Sequence, residues 1–174
     1  MTEQPNPRLS MPPTRSSSFE ITVRTGSGEG RTLLSAFDAA LQQAGVADFN
    51  LVTLSSVIPP SGRVTRGLGP LAGGHGDRLL CVLAAAYADH PGEHAWAGLG
   101  WVTGDDGKGL FVEHAGGSRE TVEEQIRLSL VDMVARRGGG YGEREVALAR
   151  AHCVDRPVCA LAVAAFQVEG WETA

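Results

Sequence analysis

The sequence predicts an α+β fold, with two helices covering an antiparallel or mixed sheet. Three observations carry this. Strand-like apolar patterning recurs about seven times. Two segments place their apolar residues at three- and four-residue spacings, the mark of a helix with one buried face. The strands are joined by short connections with hairpin chemistry, as at Asp105-Asp106-Gly107.

Residues 1–17 form an N-terminal tail by composition, with Pro5, Pro7, Pro12, Pro13 and a serine run. A single domain is expected over residues 18–174. Ser18 to Thr25 alternates apolar and polar residues, so it reads as a half-buried strand. Gly26-Ser27-Gly28-Glu29-Gly30 is then expected to break it as a flexible loop. These glycines lack the full dinucleotide fingerprint and the lysine of a phosphate-binding loop.

Arg31 to Ala44 predicts a helix with Leu33, Leu34, Phe37, Ala40, Leu41 and Ala44 on its buried face. Gly45 is placed to end it, because glycine adopts the left-handed conformation of a helix C-cap without steric cost. Phe49 to Val57 reads as a buried strand stopped by Pro59-Pro60. Ser61 to Gly76 is rich in glycine and reads as a long loop.

Leu79 to Ala88 is a nearly continuous apolar run, expected at the centre of a sheet. His94 to Val102 and Gly109 to His114 form a hairpin around the Asp105-Asp106-Gly107 turn. Ser118 predicts a helix N-cap, followed by Glu120, Glu123 and Glu124 where the helix dipole favours carboxylates. Val122, Ile126, Leu130 and Met133 make the buried stripe of this helix, and Gly138-Gly139-Gly140 stop it. Glu145 to Val154 and Val158 to Val168 are the last two strands.

The bulk numbers exclude several classes. A net charge of -5 argues against nucleic acid as the main partner, since phosphate binding wants a basic face. No apolar run is long enough for a membrane-spanning helix, so no membrane partner is expected. The N-terminus lacks the apolar core of a signal peptide, which makes the cytoplasm the expected compartment. Cys81, Cys153 and Cys159 are an odd set at irregular spacing inside apolar stretches, and read as reduced core residues. The histidines form no ligand pattern with them, so no metal site is expected. His90 and His94 are four apart, but Pro91-Gly92 forbids a helix between them.

Ser55-Ser56 stands at the end of a strand and, on its own, reads as a structural pair. A polar pair at the end of a buried strand is costly unless its hydroxyls find partners. Serine pairs are common, and this one lacks the Gly-x-Ser-x-Gly turn of a serine hydrolase. Its context is more specific. Ala36-Phe37-Asp38-Ala39-Ala40-Leu41, Ala44-Gly45, Asn50-Leu51-Val52 and Ser55-Ser56-Val57-Ile58-Pro59-Pro60 occur in one order and spacing. Pro91-Gly92-Glu93, Gly109-Leu110-Phe111-Val112-Glu113 and the terminal strand from Cys159 to Ala165 follow. In these blocks the chain resembles the pyruvoyl-dependent arginine decarboxylases, over roughly residues 18–168 and most specifically over 36–60.

The resemblance implies a four-layer αββα sandwich, assembled as a homotrimer or a dimer of trimers. It implies that the Ser55–Ser56 bond cuts itself. Ser56 would attack the carbonyl of Ser55, with Asn50 as a donor to the oxyanion. The products would be a β chain of residues 1–55 and an α chain of 56–174, whose first residue is a pyruvoyl group made from Ser56. That ketone would form a Schiff base with the amino-acid substrate, L-arginine, and release carbon dioxide and agmatine.

By position, Glu113 would return a proton to the substrate, although on its own it reads as an exposed strand carboxylate. Asp38 would meet the guanidinium of arginine, although on its own it reads as a solvent-facing helix residue. Leu34, Phe49, Ala47 and Val57 would complete the substrate site. Two departures bear on specificity: Ala39 stands where relatives commonly have glycine, and Ser61 to Gly76 matches poorly. The alternatives are the same chemistry on another amino acid (a modified arginine or aspartate) and an unprocessed, non-catalytic binding subunit.

Overall fold

The computed structural model describes residues 19–171. The elements in order are β1 (Phe19–Glu29), α1 (Leu33–Ala44), β2 (Asn50–Thr53), β3 (Val57–Ile58), β4 (Gly62–Arg66) and β5 (Arg78–Ala88). Then come β6 (His94–Thr103), β7 (Gly109–Gly116), α2 (Arg119–Arg136), β8 (Glu145–His152) and β9 (Val158–Glu169). The expected tail at 1–17 lies outside the described residues.

The strands form two sheets, in the orders β2-β5-β9-β1-β4 and β3-β7-β6-β8. The first is mixed, because β2 runs parallel to β5 and β4 parallel to β1. The second is antiparallel throughout. Three apolar clusters show the layering. One joins α1 to the outer face of the first sheet through Ala36, Ala40, Ala44, Leu79 and Leu161. A second fills the space between the sheets with Ile21, Val82, Leu99, Trp101 and Phe111. The third joins the second sheet to α2 through Val112, Val122, Ile126 and Leu130. The order is helix, sheet, sheet, helix, the expected αββα sandwich. The two sheet faces stack as in other sheet-on-sheet cores. Among the described residues no helix is long and apolar enough to cross a membrane.

Several boundaries differ from the sequence reading. β1 does not break at Gly26; it continues to Glu29, paired with β9. The glycines here serve contact rather than flexibility. A Cβ at Gly26 would lie 2.2 Å from the Ala40 carbonyl oxygen, and one at Gly28 would lie 2.5 Å from the Ala40 nitrogen. The backbone of α1 rests directly on this strand, which only glycine permits.

Helix α1 has the expected end, with Gly45 left-handed at φ 70°. Its start is a capping box in which Thr32 and Ser35 satisfy each other's backbone N–H groups. Its buried face is narrower than expected: Ala36, Ala40, Leu41 and Ala44 are buried, while Leu33 and Leu34 are exposed. The close glycine contact places Ala36, Ala40 and Ala44 beneath the helix, while its first two leucines face outward.

Phe49 to Val57 is not one buried strand. β2 ends at Thr53, is mostly exposed, and lies at the edge of the first sheet. The chain restarts as β3 at the edge of the second. The expected loop at 61–76 contains β4, which pairs in parallel with β1. Its short alternation was hidden among glycines. Among the described residues these splits raise the strand count to nine, from about seven expected on apolar periodicity.

Candidate active site

Ser55 and Ser56 stand where the chain leaves one sheet for the other. The last bond to the first sheet is from the Leu54 N–H to the Cys81 carbonyl, at 2.9 Å. The first to the second sheet is from the Phe111 N–H to the Ser56 carbonyl, at 2.8 Å. The Ser55–Ser56 peptide spans the step between them.

Ser56 is held in a costly state. Its φ is 66°, in the left-handed region that side chains other than those of glycine and asparagine rarely occupy. It is 7% exposed, and with Arg24 it makes up the buried polar and charged residues among those described. Strain of this kind costs about 1–3 kcal/mol and persists only where the surroundings enforce it.

The Ser56 hydroxyl donates to Glu113, at 2.7 Å from Oε1 and 2.9 Å from Oε2. Alternation along β7 explains why Glu113 is available. Phe111, two residues earlier, enters the core between the sheets, so Glu113 shares that face at its open end. Val112 and His114 point the other way, toward α2, and His114 Nε2 lies 2.8 Å from Ser129 Oγ. Ser55 and Glu113 are both exposed, unlike Ser56.

Asp38, Ala47 and Phe49 meet in a second place. They line an open pocket of about 440 Å³ together with Gln42, Gly45, Asp48 and His75. Gln42 is one helical turn after Asp38 and donates to its Oδ2 at 3.0 Å. Ser56 and Glu113 do not line this pocket. Nor do Leu34 and Val57, which stand 76% and 54% exposed.

Asn50 has a different partner from the one expected. Its side-chain amide donates to the Gly76 carbonyl at 2.6 Å, and so holds the turn before β5 rather than an oxyanion at Ser55. Three lining side chains were missed from sequence, and Gly45 was read only as the helix cap. Gln42 was findable from its i+4 spacing to Asp38. Asp48 lies between Ala47 and Phe49, both named from sequence. His75 lies in a glycine-rich loop and carried no signal.

A family model described as pyruvoyl-dependent arginine decarboxylase matches residues 20–168. The chain belongs to this family. Within the pyruvoyl-dependent arginine decarboxylase family it is 34% identical over 143 residues to the pyruvoyl-dependent arginine decarboxylase of Thermococcus kodakarensis, covering 81% of this chain and 90% of that one. It is 41% identical over 96 residues to the Halobacterium salinarum protein of the same name, covering 55% of this chain and 59% of that one. A solved structure of a pyruvoyl-dependent histidine decarboxylase aligns at a TM-score of 0.38 and 13% identity, over 63% of this chain and 55% of that chain. The layering above rests on this chain's own packing.

Members of the pyruvoyl-dependent arginine decarboxylase family carry their carbonyl cofactor covalently. The residues at the crossover fit that group. Ser56 is a buried serine with a left-handed backbone and its hydroxyl on a carboxylate, a residue type from which such a group can be made.

Proposed function

We propose that this chain cuts itself between Ser55 and Ser56, carries a pyruvoyl group derived from Ser56, and decarboxylates L-arginine to agmatine. The observation that supports this most is the bond from the Ser56 hydroxyl to Glu113 beside a left-handed Ser56 backbone.

In maturation, Glu113 accepts the proton of the Ser56 hydroxyl. The hydroxyl oxygen attacks the Ser55 carbonyl carbon, the carbon–nitrogen bond breaks, and the nitrogen takes the proton. The amide has become an ester. Loss of the Ser56 α-proton expels the Ser55 carboxylate, and water then replaces the nitrogen, which leaves as ammonia. Release of backbone strain at Ser56 favours the forward direction. The products are chains of residues 1–55 and 56–174.

The pyruvoyl group, once formed at position 56, would supply the ketone chemistry for binding the substrate amine and drawing electrons from the leaving carboxylate. Glu113, against the reacting residue, is the group placed to return a proton to the substrate α-carbon. Asp38 accepts hydrogen bonds from the guanidinium, with Ala47 and Phe49 forming the adjoining wall. Gln42 steadies Asp38 through Oδ2.

The two groups of residues lie in different places on one chain, and Leu34, Val52 and Val57 are left exposed. Both facts support assembly as a homotrimer or a dimer of trimers, in which one copy's pocket faces another's Ser56. Apolar side chains of this size favour burial by about 1.5–3 kcal/mol each. The three buried, unpaired cysteines fit a reducing cytoplasm.

The test is intact mass under denaturing conditions, then carbon dioxide release from a panel of amino acids. Two fragments split after Ser55, with arginine the best substrate, support the reading. A whole chain with no turnover would reject it in favour of a binding subunit. Two fragments with faster turnover of aspartate would reject arginine alone.

A further inference from the structure

The pocket that holds Asp38 contains a second carboxylate, Asp48, in the turn between α1 and β2. Asp48 is held from two sides. Its Oδ1 lies 3.3 Å from Nδ1 of His75. Its backbone carbonyl accepts from the Gly76 N–H at 2.7 Å. The turn carrying His75 is itself anchored. The Gly76 carbonyl accepts from the side chains of Asn50, at 2.6 Å, and Trp171, at 2.9 Å. The Asp77 carbonyl accepts from the Asn50 N–H at 2.8 Å, and the Asp77 side chain from the Gly74 N–H at 2.7 Å.

Resting on the reading that this pocket takes the guanidinium of arginine, we propose that Asp48 is a second specificity-determining residue. It accepts guanidinium N–H groups that Asp38 does not. A guanidinium has five N–H donors in a planar fork and no acceptor. Asp38 already receives one hydrogen bond from Gln42, so part of its accepting capacity is occupied. Asp48 brings a second carboxylate to the same pocket, with its Oδ1 beside His75. The lining holds two carboxylates and neither lysine nor arginine. Its field therefore favours a cationic side-chain end, rejects an acidic one, and separates arginine from its uncharged ureido analogue, citrulline. His75 is a positioning residue that acts through Asp48.

The test is steady-state carbon dioxide release by the processed enzyme on L-arginine, with L-citrulline as a competing ligand. Maturation is checked by mass. Asp48→Asn keeps the shape and removes the charge, and is expected to raise KM for arginine roughly 5- to 10-fold with a smaller effect on kcat. Preference for arginine over citrulline falls in parallel. Asp48→Ser is a second variant with the same expectation should the first mature poorly. His75→Ala is expected to raise KM less, and His75→Asn, which can still donate to Asp48, to restore it. Asp38→Asn is the reference. A raised KM in Asp38→Asn with both Asp48 variants within about twofold of the parent overturns the role of Asp48 and leaves the arginine pocket standing. An unchanged KM in the Asp38 and Asp48 variants alike overturns the pocket assignment itself, and this inference with it.

Discussion

The hydroxyl of Ser56 is shared between both carboxylate oxygens of Glu113, at 2.7 and 2.9 Å, across 57 positions of sequence. Ser56 sits just before the edge strand β3, and Glu113 on its neighbour β7. Pairing of Val57 with Leu110 sets the register that brings them together.

Replacing the nucleophile separates chemistry from strain. Ser56→Ala is expected to stay whole on intact mass after long incubation, and normal cleavage would remove the serine mechanism. Ser56→Gly should also stay whole, and should be more stable than Ser56→Ala. Glycine adopts φ near 66° without the cost that alanine meets there, a difference of about 1 kcal/mol. That corresponds to roughly 2–4 °C in Tm for a chain of this size.

Glu113→Gln keeps the size of the side chain and removes its acid–base role. Decarboxylation in matured protein is expected to fall about 100-fold or more, the usual range for loss of a general acid. Fragment formation should slow as well, because Glu113 is the group bound to the Ser56 hydroxyl. A time course of intact mass beside arginine turnover measures both. Unchanged rates in the two assays would leave Glu113 as a bystander.

Gly28→Ala tests the contact between β1 and α1. The added carbon would stand 2.5 Å from the Ala40 nitrogen and 2.6 Å from the Ala36 carbonyl oxygen, so the helix must move. The expected loss is about 1–3 kcal/mol, the range for overpacking a filled core, read from a denaturant midpoint at unchanged slope. A flexible loop, the expectation from sequence, would tolerate the substitution.

Arg24 tests how the other end of α1 is held. The helix has no basic residue in its last turn, and the 3%-exposed Arg24 guanidinium donates to the Ala44 carbonyl from β1 below. It also bonds to the Gly69 carbonyl and so ties the loop after β4 to the helix. Arg24→Met is expected to cost about 1.5–3 kcal/mol, as for other hydrogen bonds to charged groups, by thermal or denaturant unfolding. Because one arginine spans both carbonyls, Arg24→Lys should recover only part of the loss.

The buried thiols set an alkaline limit. Burial pushes Cys81 and Cys159 up to about 11, from an ordinary value of 9.0. The unfolded chain therefore loses these protons first as pH rises, and stability falls between about pH 9 and 11. Below that window both states hold the protons and the thiols contribute no slope. Cys159→Ala should flatten the fall. At neutral pH, alkylation should reach the three cysteines only after denaturation.

Local chemistry made much of this legible in sequence. The Gly45 cap, the Ser118 cap, the Val122–Ile126–Leu130 stripe and the Asp105-Asp106-Gly107 turn depend on neighbours within a few residues. So does the Ser55-Ser56 block with its flanking prolines, which pointed to the right family. Resemblance named Asp38, Ala47 and Phe49, and packing places them in one pocket. What tertiary structure decided was everything set by distant partners. It decided that β1 runs through its glycines because α1 rests on them, and that β2 is an exposed edge. It decided that Leu34 faces outward and that Asn50 holds Gly76. Above all it decided that Ser56 adopts a left-handed backbone with its hydroxyl on Glu113. Periodicity reports which face of an element is apolar. Only the packed sheets choose what that face meets, because register and sheet order arise from contacts tens of residues apart.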